Sequence, residues 1–379
     1  MDIEQRQWVP DTGWTPEQCL LSDSADVVFI FGSTAVLKNP SFYQDVRKRY
    51  PNAHLMGCST AGEICGVRVY DGSAVTTAVH FHETAVMAAQ VEIKNSADSF
   101  EVGRQLAGAL KKEGLVHVFV CSDGIKVNGS ELVNGLLKEL PEGVAATGGL
   151  AGDGERFERT FVFVDHAPAE GQVGAIGFYG SRLKVGYGSL GGWDSFGPER
   201  LITRSRGNVL YELDRQPALE LYKTYLGEHA TGLPATGLLF PISIRPKQKQ
   251  SSDLVRTILS VSDAEQSLTF AGDVPEGWYA RLMKANFDRL VEGAHGAARA
   301  SYEAIGSSSP DLAILISCVG RKLVLKQRTE EEIEAVRDVL GPQSVLAGFY
   351  SYGEICPAAP NASCELHNQT MTITTLSEC

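Results

Sequence analysis

Two stretches nearly 300 residues apart almost repeat each other: Gly57-Cys58-Ser59-Thr60-Ala61-Gly62-Glu63-Ile64-Cys65-Gly66 and Gly348-Phe349-Tyr350-Ser351-Tyr352-Gly353-Glu354-Ile355-Cys356-Pro357. Each follows an apolar, strand-like run and ends in Gly-Glu-Ile-Cys, so one backbone device, a sharp glycine turn presenting a carboxylate, is used twice. The surroundings agree. A strand at 27–31, a helix at 42–50 and a strand at 53–56 precede the first copy. A strand at 312–316, a helix opening at Thr329 with Glu332 three residues on as a capping box, and a strand at 345–347 precede the second. Agreement of context as well as letters points to a duplicated fold.

At 379 residues the chain exceeds what one core usually fills, so at least two domains are expected. Short turns such as 82–84 join some strands while helices join others, so each half reads as a mixed sheet flanked by helices. The expected class is mixed α/β with two pseudo-repeated halves, stacked face to face as an α-β-β-α arrangement of four layers. Residues 1–20 read as an irregular lead-in, 21–185 as the N-terminal domain and 186–379 as the C-terminal domain. The longest helix is expected at 278–304, and Ser307-Ser308-Ser309 reads as a loop within the second domain.

A formal charge of -12 with no basic stripe excludes a nucleic-acid partner. No apolar run approaches the length that spans a bilayer, and the N-terminus lacks a secretion signal, so no membrane association and a cytoplasmic location are expected. Eight scattered cysteines without a Cys-x-x-Cys pair read as buried small hydrophobes or free thiols. In that compartment the triplets at Asn128, Asn361 and Asn368 are not glycosylation sites.

The chemistry-bearing residues are few. Gly186-x-Gly188-x-x-Gly191 matches a dinucleotide fingerprint in letters, but no helix can start at Trp193-Asp194-Ser195-Phe196-Gly197-Pro198 to meet a pyrophosphate. His80-x-His82 would present two imidazoles on one face of a strand, with no third metal ligand apparent. Cys318, beside Arg321, is a candidate nucleophile, set against a small residue packing where strand meets loop. Glu63 and Glu354 are the sharper candidates, able either to bind a ligand amine or to cap backbone N–H groups and fix their turns. Tyr350 and Tyr352 add hydroxyls and aromatic faces beside Glu354, and His367, Asn368 and Gln369 make a polar start to the last strand.

At these motifs the chain resembles the FIST sensory family. Residues 348–355 followed by 366–372 resemble its C-terminal signature, residues 207–222 and 316–321 its C domain, and residues 57–66 and 148–154 its N domain. The resemblance implies a cytoplasmic, non-enzymatic ligand-sensing protein of bacterial signal transduction that takes a small-molecule or gaseous ligand. Glu63, Glu354, Tyr350, Tyr352, Asn368, Arg321 and Cys318 are the candidate ligand-binding residues. Some similar stand-alone members are haem proteins that sense nitric oxide and modulate a histidine kinase or other signalling protein; others bind metabolites such as amino acids. A haem b would need an axial histidine in an apolar pocket. His367, and His295 on the expected inward side of the long helix, are the axial candidates. An enzyme using Cys318 or Glu354, and a structural adaptor, are the alternatives from other classes.

Overall fold

The computed structural model describes residues 1–247, 254–306, 308–357 and 362–378; Ser307 of the serine run and Asn361 lie outside them. The fold is mixed α/β. Three of its four sheets share one plan, built on a buried parallel pair of apolar strands joined by a helix. In the first unit Val27–Gly32 and His54–Ser59 are parallel and connected through the helix Pro40–Arg49. In the second, Leu115–Ser122 and Ala145–Leu150 are connected through Gly129–Glu139. In the third, Leu312–Cys318 and Val345–Ser351 are connected through Thr329–Leu340. A parallel pair requires such a crossover, and strands covered on both faces read as unbroken apolar runs.

The remaining strands follow the same plan. Ala74–His80, Gln172–Tyr179 and Met371–Glu378 run antiparallel to the first strand of their units. Asp2–Val9, Ala85–Glu92 and Leu183–Leu190 lie outside those. Where the sequence displays two copies of the carboxylate turn, the topology displays three units, of which the second carries Gly152-Asp153 in place of Gly-Glu.

After its parallel pair, each unit hands a strand to a neighbour. Glu63–Cys65 pairs with Val345–Ser351 of the third unit, Gly353–Pro357 with Ala145–Leu150 of the second, and Val162–Val164 with His54–Ser59 of the first. The exchange runs first to third, third to second and second to first, so the ring closes. The turns follow the same cycle: Ala61 N donates to Tyr350 O at 2.8 Å, Tyr352 N to Leu150 O at 3.2 Å, and Gly152 N to Ser59 O at 2.9 Å. Each acceptor lies two residues beyond a glycine, Gly348, Gly148 or Gly57, that lets two backbones meet. A Cβ at those glycines would stand 1.8 Å from Leu315 O, 1.9 Å from Val120 O and 2.1 Å from Ile30 O.

Between Leu190 and Phe287 the third unit carries an inserted lobe, an antiparallel sheet including Asp194–Arg206, Ile242–Arg245, Leu254–Arg256 and Tyr279–Lys284. It has its own core around Ile202, Leu210, Tyr222, Phe270 and Leu282.

Three local expectations are corrected. The lead-in at 1–20 contains the strands Asp2–Val9 and Gly13–Thr15. Its alternation is hidden because the inward positions hold Glu4 and Arg6, which bond the amides of Leu20 and Leu21 and the carbonyl of Pro16. The long helix begins at Phe287, capped by the Asn286 side chain, because 279–284 is drawn into the lobe as a strand. Glu332 forms no capping box with Thr329; it is buried against Arg321, whose charge outcompetes a helix-end amide.

The Gly148→Ala and Gly348→Ala variants are expected to lose on the order of 3 kcal/mol or more, because the added methyl strikes backbone that cannot swing aside. Chemical denaturation measures this. A loss below ~1 kcal/mol at both sites would contradict the close approach of the parallel strands within the second and third units.

Candidate functional site

The twin carboxylates are placed alike. Glu63 and Glu354 are 1% and 0% exposed. Thr60 Oγ1 and Ser351 Oγ each donate to the Oε1 of the glutamate three residues on, at 2.6 Å in both copies. Oε2 of Glu63 accepts the amide and hydroxyl of Ser73 at 3.2 and 2.8 Å; Oε2 of Glu354 accepts those of Thr370 at 3.2 and 2.9 Å. Each carboxylate thus ties its turn to the start of the antiparallel strand of its own unit, although the two stand in different sheets. Burial raises Glu63 to about 7 and Glu354 to about 8, against the hydrogen bonds that favour the charged form. In the second unit Ala151 replaces the turn hydroxyl, and Asp123 Oδ2 takes the equivalent amide, Gly171 N, at 3.0 Å.

The tyrosines lock the seams. Tyr350 gives its hydroxyl to Glu332 at 2.6 Å, beside Ser317 at 3.0 Å. Arg321 binds the other oxygen of Glu332 through Nε and Nη2 at 3.0 and 2.8 Å, and donates to the carbonyls of Gly191 and Leu290 at 2.8 and 2.7 Å. Its guanidinium therefore fastens the third unit to the base of the inserted lobe. Tyr352 donates to Asp153 and stacks on Phe157 with ring centroids 4.2 Å apart. Cys318 is fully buried, its thiol pushed up to about 12 by burial and by the nearby Glu354, which leaves no thiolate for nucleophilic attack near neutrality.

His367, Asn368 and Thr370 meet at a cleft of about 390 Å³ between the third unit and the inserted lobe. Leu190 to Trp193 form one wall, and Ser243, Leu254, Val255 and Met283 of the lobe form the other. Asn368 is fixed on both sides, accepting Thr257 N and donating to Tyr352 O, both at 3.3 Å. The Nε2 of His367 is 2.9 Å from the carbonyl of Cys356, which can only accept, so Nε2 carries the proton. Burial holds His367 down at about 4, so the ring is neutral near pH 7. Its Nδ1 has no hydrogen-bond partner among the described residues. Gln369, at φ 63°, takes the Trp193 indole N–H on its carbonyl at 2.9 Å and so shapes the floor.

The residues as placed do not fit haem. His295 is exposed on the outer side of the helix Phe287–Ala304, not on its inward stripe. His367 commits Nε2 to a carbonyl, and its Nδ1 adjoins Cβ, where the backbone crowds a porphyrin plane. Sequence reasoning brought His367 and Asn368 to the cleft but missed Trp193, Thr370, Glu332 and Asp123. A hydroxyl residue, Ser73 or Thr370, directly before the antiparallel strand of each Glu-bearing unit was the available signal for Thr370. Among the described residues no helix is long and apolar enough to cross a membrane.

The FIST N domain matches residues 26–216 and the FIST C domain residues 218–357. The chain belongs to the FIST family. FIST domains are sensor domains of signal transduction. The division between the two FIST domains falls inside the inserted lobe. A protein of Methanocaldococcus jannaschii, described as uncharacterized, is 24% identical over 353 residues, covering 86% of this chain and 65% of the relative. The chain thus spans about two thirds of that relative's length. Among solved structures, a cyanuric acid hydrolase from A. caulinodans is 10% identical, with a TM-score of 0.18 over 78% of this chain and 99% of the other. A second cyanuric acid hydrolase gives 10% identity and a TM-score of 0.17 over 79% and 100%.

Because the folded chain holds protons on Glu63 and Glu354 that the unfolded chain releases near pH 4.5, stability falls as pH rises through the folded values, between about pH 5 and 8. The Glu63→Gln/Glu354→Gln double variant is expected to flatten that slope, a difference on the order of a few kcal/mol in unfolding free energy across the interval. Parallel pH profiles for variant and wild type would contradict the protonated, buried state.

Proposed function

We propose that this FIST protein is a sensor that binds a small polar metabolite, of about amino-acid size, in the cleft between its third unit and the inserted lobe. The observation that carries this reading is His367. It is neutral, has an uncommitted Nδ1, and sits beside the fixed Asn368 at a seam whose opposite wall belongs to a separately cored lobe. Small-molecule pockets occur preferentially at such seams between separately cored bodies. A ligand touching both walls holds the lobe in one position, and only that difference in affinity between positions can transmit a signal.

The ligand recognition is polar and uncharged on the protein side: imidazole, amide and hydroxyl groups over an apolar lining of Leu190, Trp193, Val255 and Met283. In this reading the chain works in the cytoplasm and passes its state to a signalling partner such as a histidine kinase, as resembling family members do. It binds rather than turns over its ligand, since Cys318 is protonated and Glu354 has every oxygen occupied by its own turn. Haem with a gaseous ligand ranks below the metabolite because His295 is exposed on the outer side of its helix and His367 commits its Nε2 to the Cys356 carbonyl.

Thermal-shift screening of small metabolites against the purified chain tests this, with Trp193 fluorescence as a second readout. The expected result is a polar ligand that raises the melting temperature, perturbs the indole, is recovered unchanged, and loses its effect in His367→Ala. A shift that survives His367→Ala and Asn368→Ala, or consumption of the ligand, would refute the reading. Haem titration should give no stoichiometric Soret band; a one-to-one band lost in His367→Ala would put haem first.

A further inference from the structure

Away from the cleft, one group of side chains has metal-ligating chemistry and no part in the ring. His80 ends the strand Ala74–His80, and His82 stands two residues on in the following turn. Asp2, on the outer strand, lies directly across from His80 in the antiparallel register. One ligand atom from each of the three lies within 4.8 Å of the other two. His82 Nε2 is 3.1 Å from Asp2 Oδ2, and the two imidazole centroids are 5.7 Å apart.

The outer surroundings of His80 are also formed. Its Nδ1 is 3.1 Å from Asp26 Oδ2, an oxygen fixed in place by the Phe81 amide at 2.8 Å. A carboxylate on one ring nitrogen orients an imidazole and strengthens the other nitrogen as a donor, the arrangement that metal-ligating histidines characteristically have. Nε2 of His80 is then the nitrogen left for an ion. Two imidazoles and one carboxylate, with water completing four positions, suit zinc; calcium and magnesium prefer all-oxygen sites.

We propose that Asp2, His80 and His82 form a binding site for a divalent transition-metal ion, zinc by its donor set, with Asp26 as the positioning residue for His80. The site spans a seam. Asp2 opens the strand that reaches the third unit through Gln5, whose Nε2 donates to Leu346 O at 2.9 Å. The His82 turn is held by Glu378 at the end of the third unit, which accepts the amides of His82, Glu83 and Thr84 at 2.6 to 2.8 Å. An ion bound here fastens the outer strand of the first unit to that turn and stiffens the junction of first and third units. Asp2 and His82 are exposed, so the ion enters without unfolding.

The test uses the untagged full chain, stripped with chelator and titrated with Zn²⁺ against a chromophoric competitor. One equivalent should bind, with the affinity falling at least tenfold in Asp2→Asn, His80→Ala or His82→Ala, and by about tenfold in Asp26→Asn with stoichiometry kept. Circular dichroism verifies that the variants fold. Because the chain is rich in thiols, Co²⁺ substitution supplies the second readout: ligand-field bands without thiolate charge transfer are expected. Unchanged affinity in the His80→Ala/His82→Ala variant, thiolate charge transfer from the bound ion, or no uptake at sub-millimolar zinc would each overturn the proposal.

Discussion

Three backbone hydrogen bonds hold this molecule's parts in order: Ala61 to Tyr350, Tyr352 to Leu150, and Gly152 to Ser59. Each joins a different pair of units, and each sits where one unit's chain crosses into its neighbour's sheet. Two residues before each acceptor, Gly57, Gly148 and Gly348 let the parallel strands within each unit meet closely, where any side chain would occupy the space of a carbonyl oxygen. A buried amide left without its acceptor costs about 1–3 kcal/mol, so opening one contact removes more than a single bond's net contribution. The ring makes the three units one body, and the inserted lobe is tied to it from outside, through Arg256 to the Leu366 carbonyl and through Asp273 to Asn128.

The charged and polar groups fall into place around that constraint. Glu63 and Glu354 tie the turns to the strands that follow, at the cost of burying carboxyl groups whose protons become hard to remove. The fully buried pair of Arg321 and Glu332 anchors Tyr350 on one side and the carbonyls of Gly191 and Leu290 on the other, connecting the ring to the root of the lobe. These residues are spent on architecture. The cleft is different: its His367 keeps one nitrogen uncommitted, and one of its walls belongs to the inserted lobe with its separate core.

Much of this was legible in the chain. The carboxylate turns could be read because Gly-Glu-Ile-Cys occurs twice, with matching strands and helix before each copy. The second unit escaped notice because its turn is one residue shorter and carries Gly152-Asp153, with Asp123, just past the end of the strand Leu115–Ser122, doing the clamping. The outer strand Asp2–Val9 was unreadable because Glu4 and Arg6 occupy inward positions, and with it went Asp2, the third donor beside His80 and His82. His367 and Asn368 stood out as polar residues at a strand start, but the opposite wall of their cleft comes from Ser243 and Val255, which only the lobe's folding brings near. His295 misled because the buried stripe runs through Leu290, Gly293, Ala294, Ala297 and Ala298, small residues that carry little apolar signal, and His295 lies beside that stripe rather than on it.

Sensing, in this account, depends on a rigid ring against which the lobe's position carries information. Native-state hydrogen exchange, read at the amides of Ala61, Gly152 and Tyr352 across a denaturant series, tests that rigidity most directly. The account predicts that the three amides open together, with one common free energy equal to that of the parallel strand pairs and above that of the lobe. One of the three exchanging through its own low-energy opening while the others stay protected would contradict a closed ring.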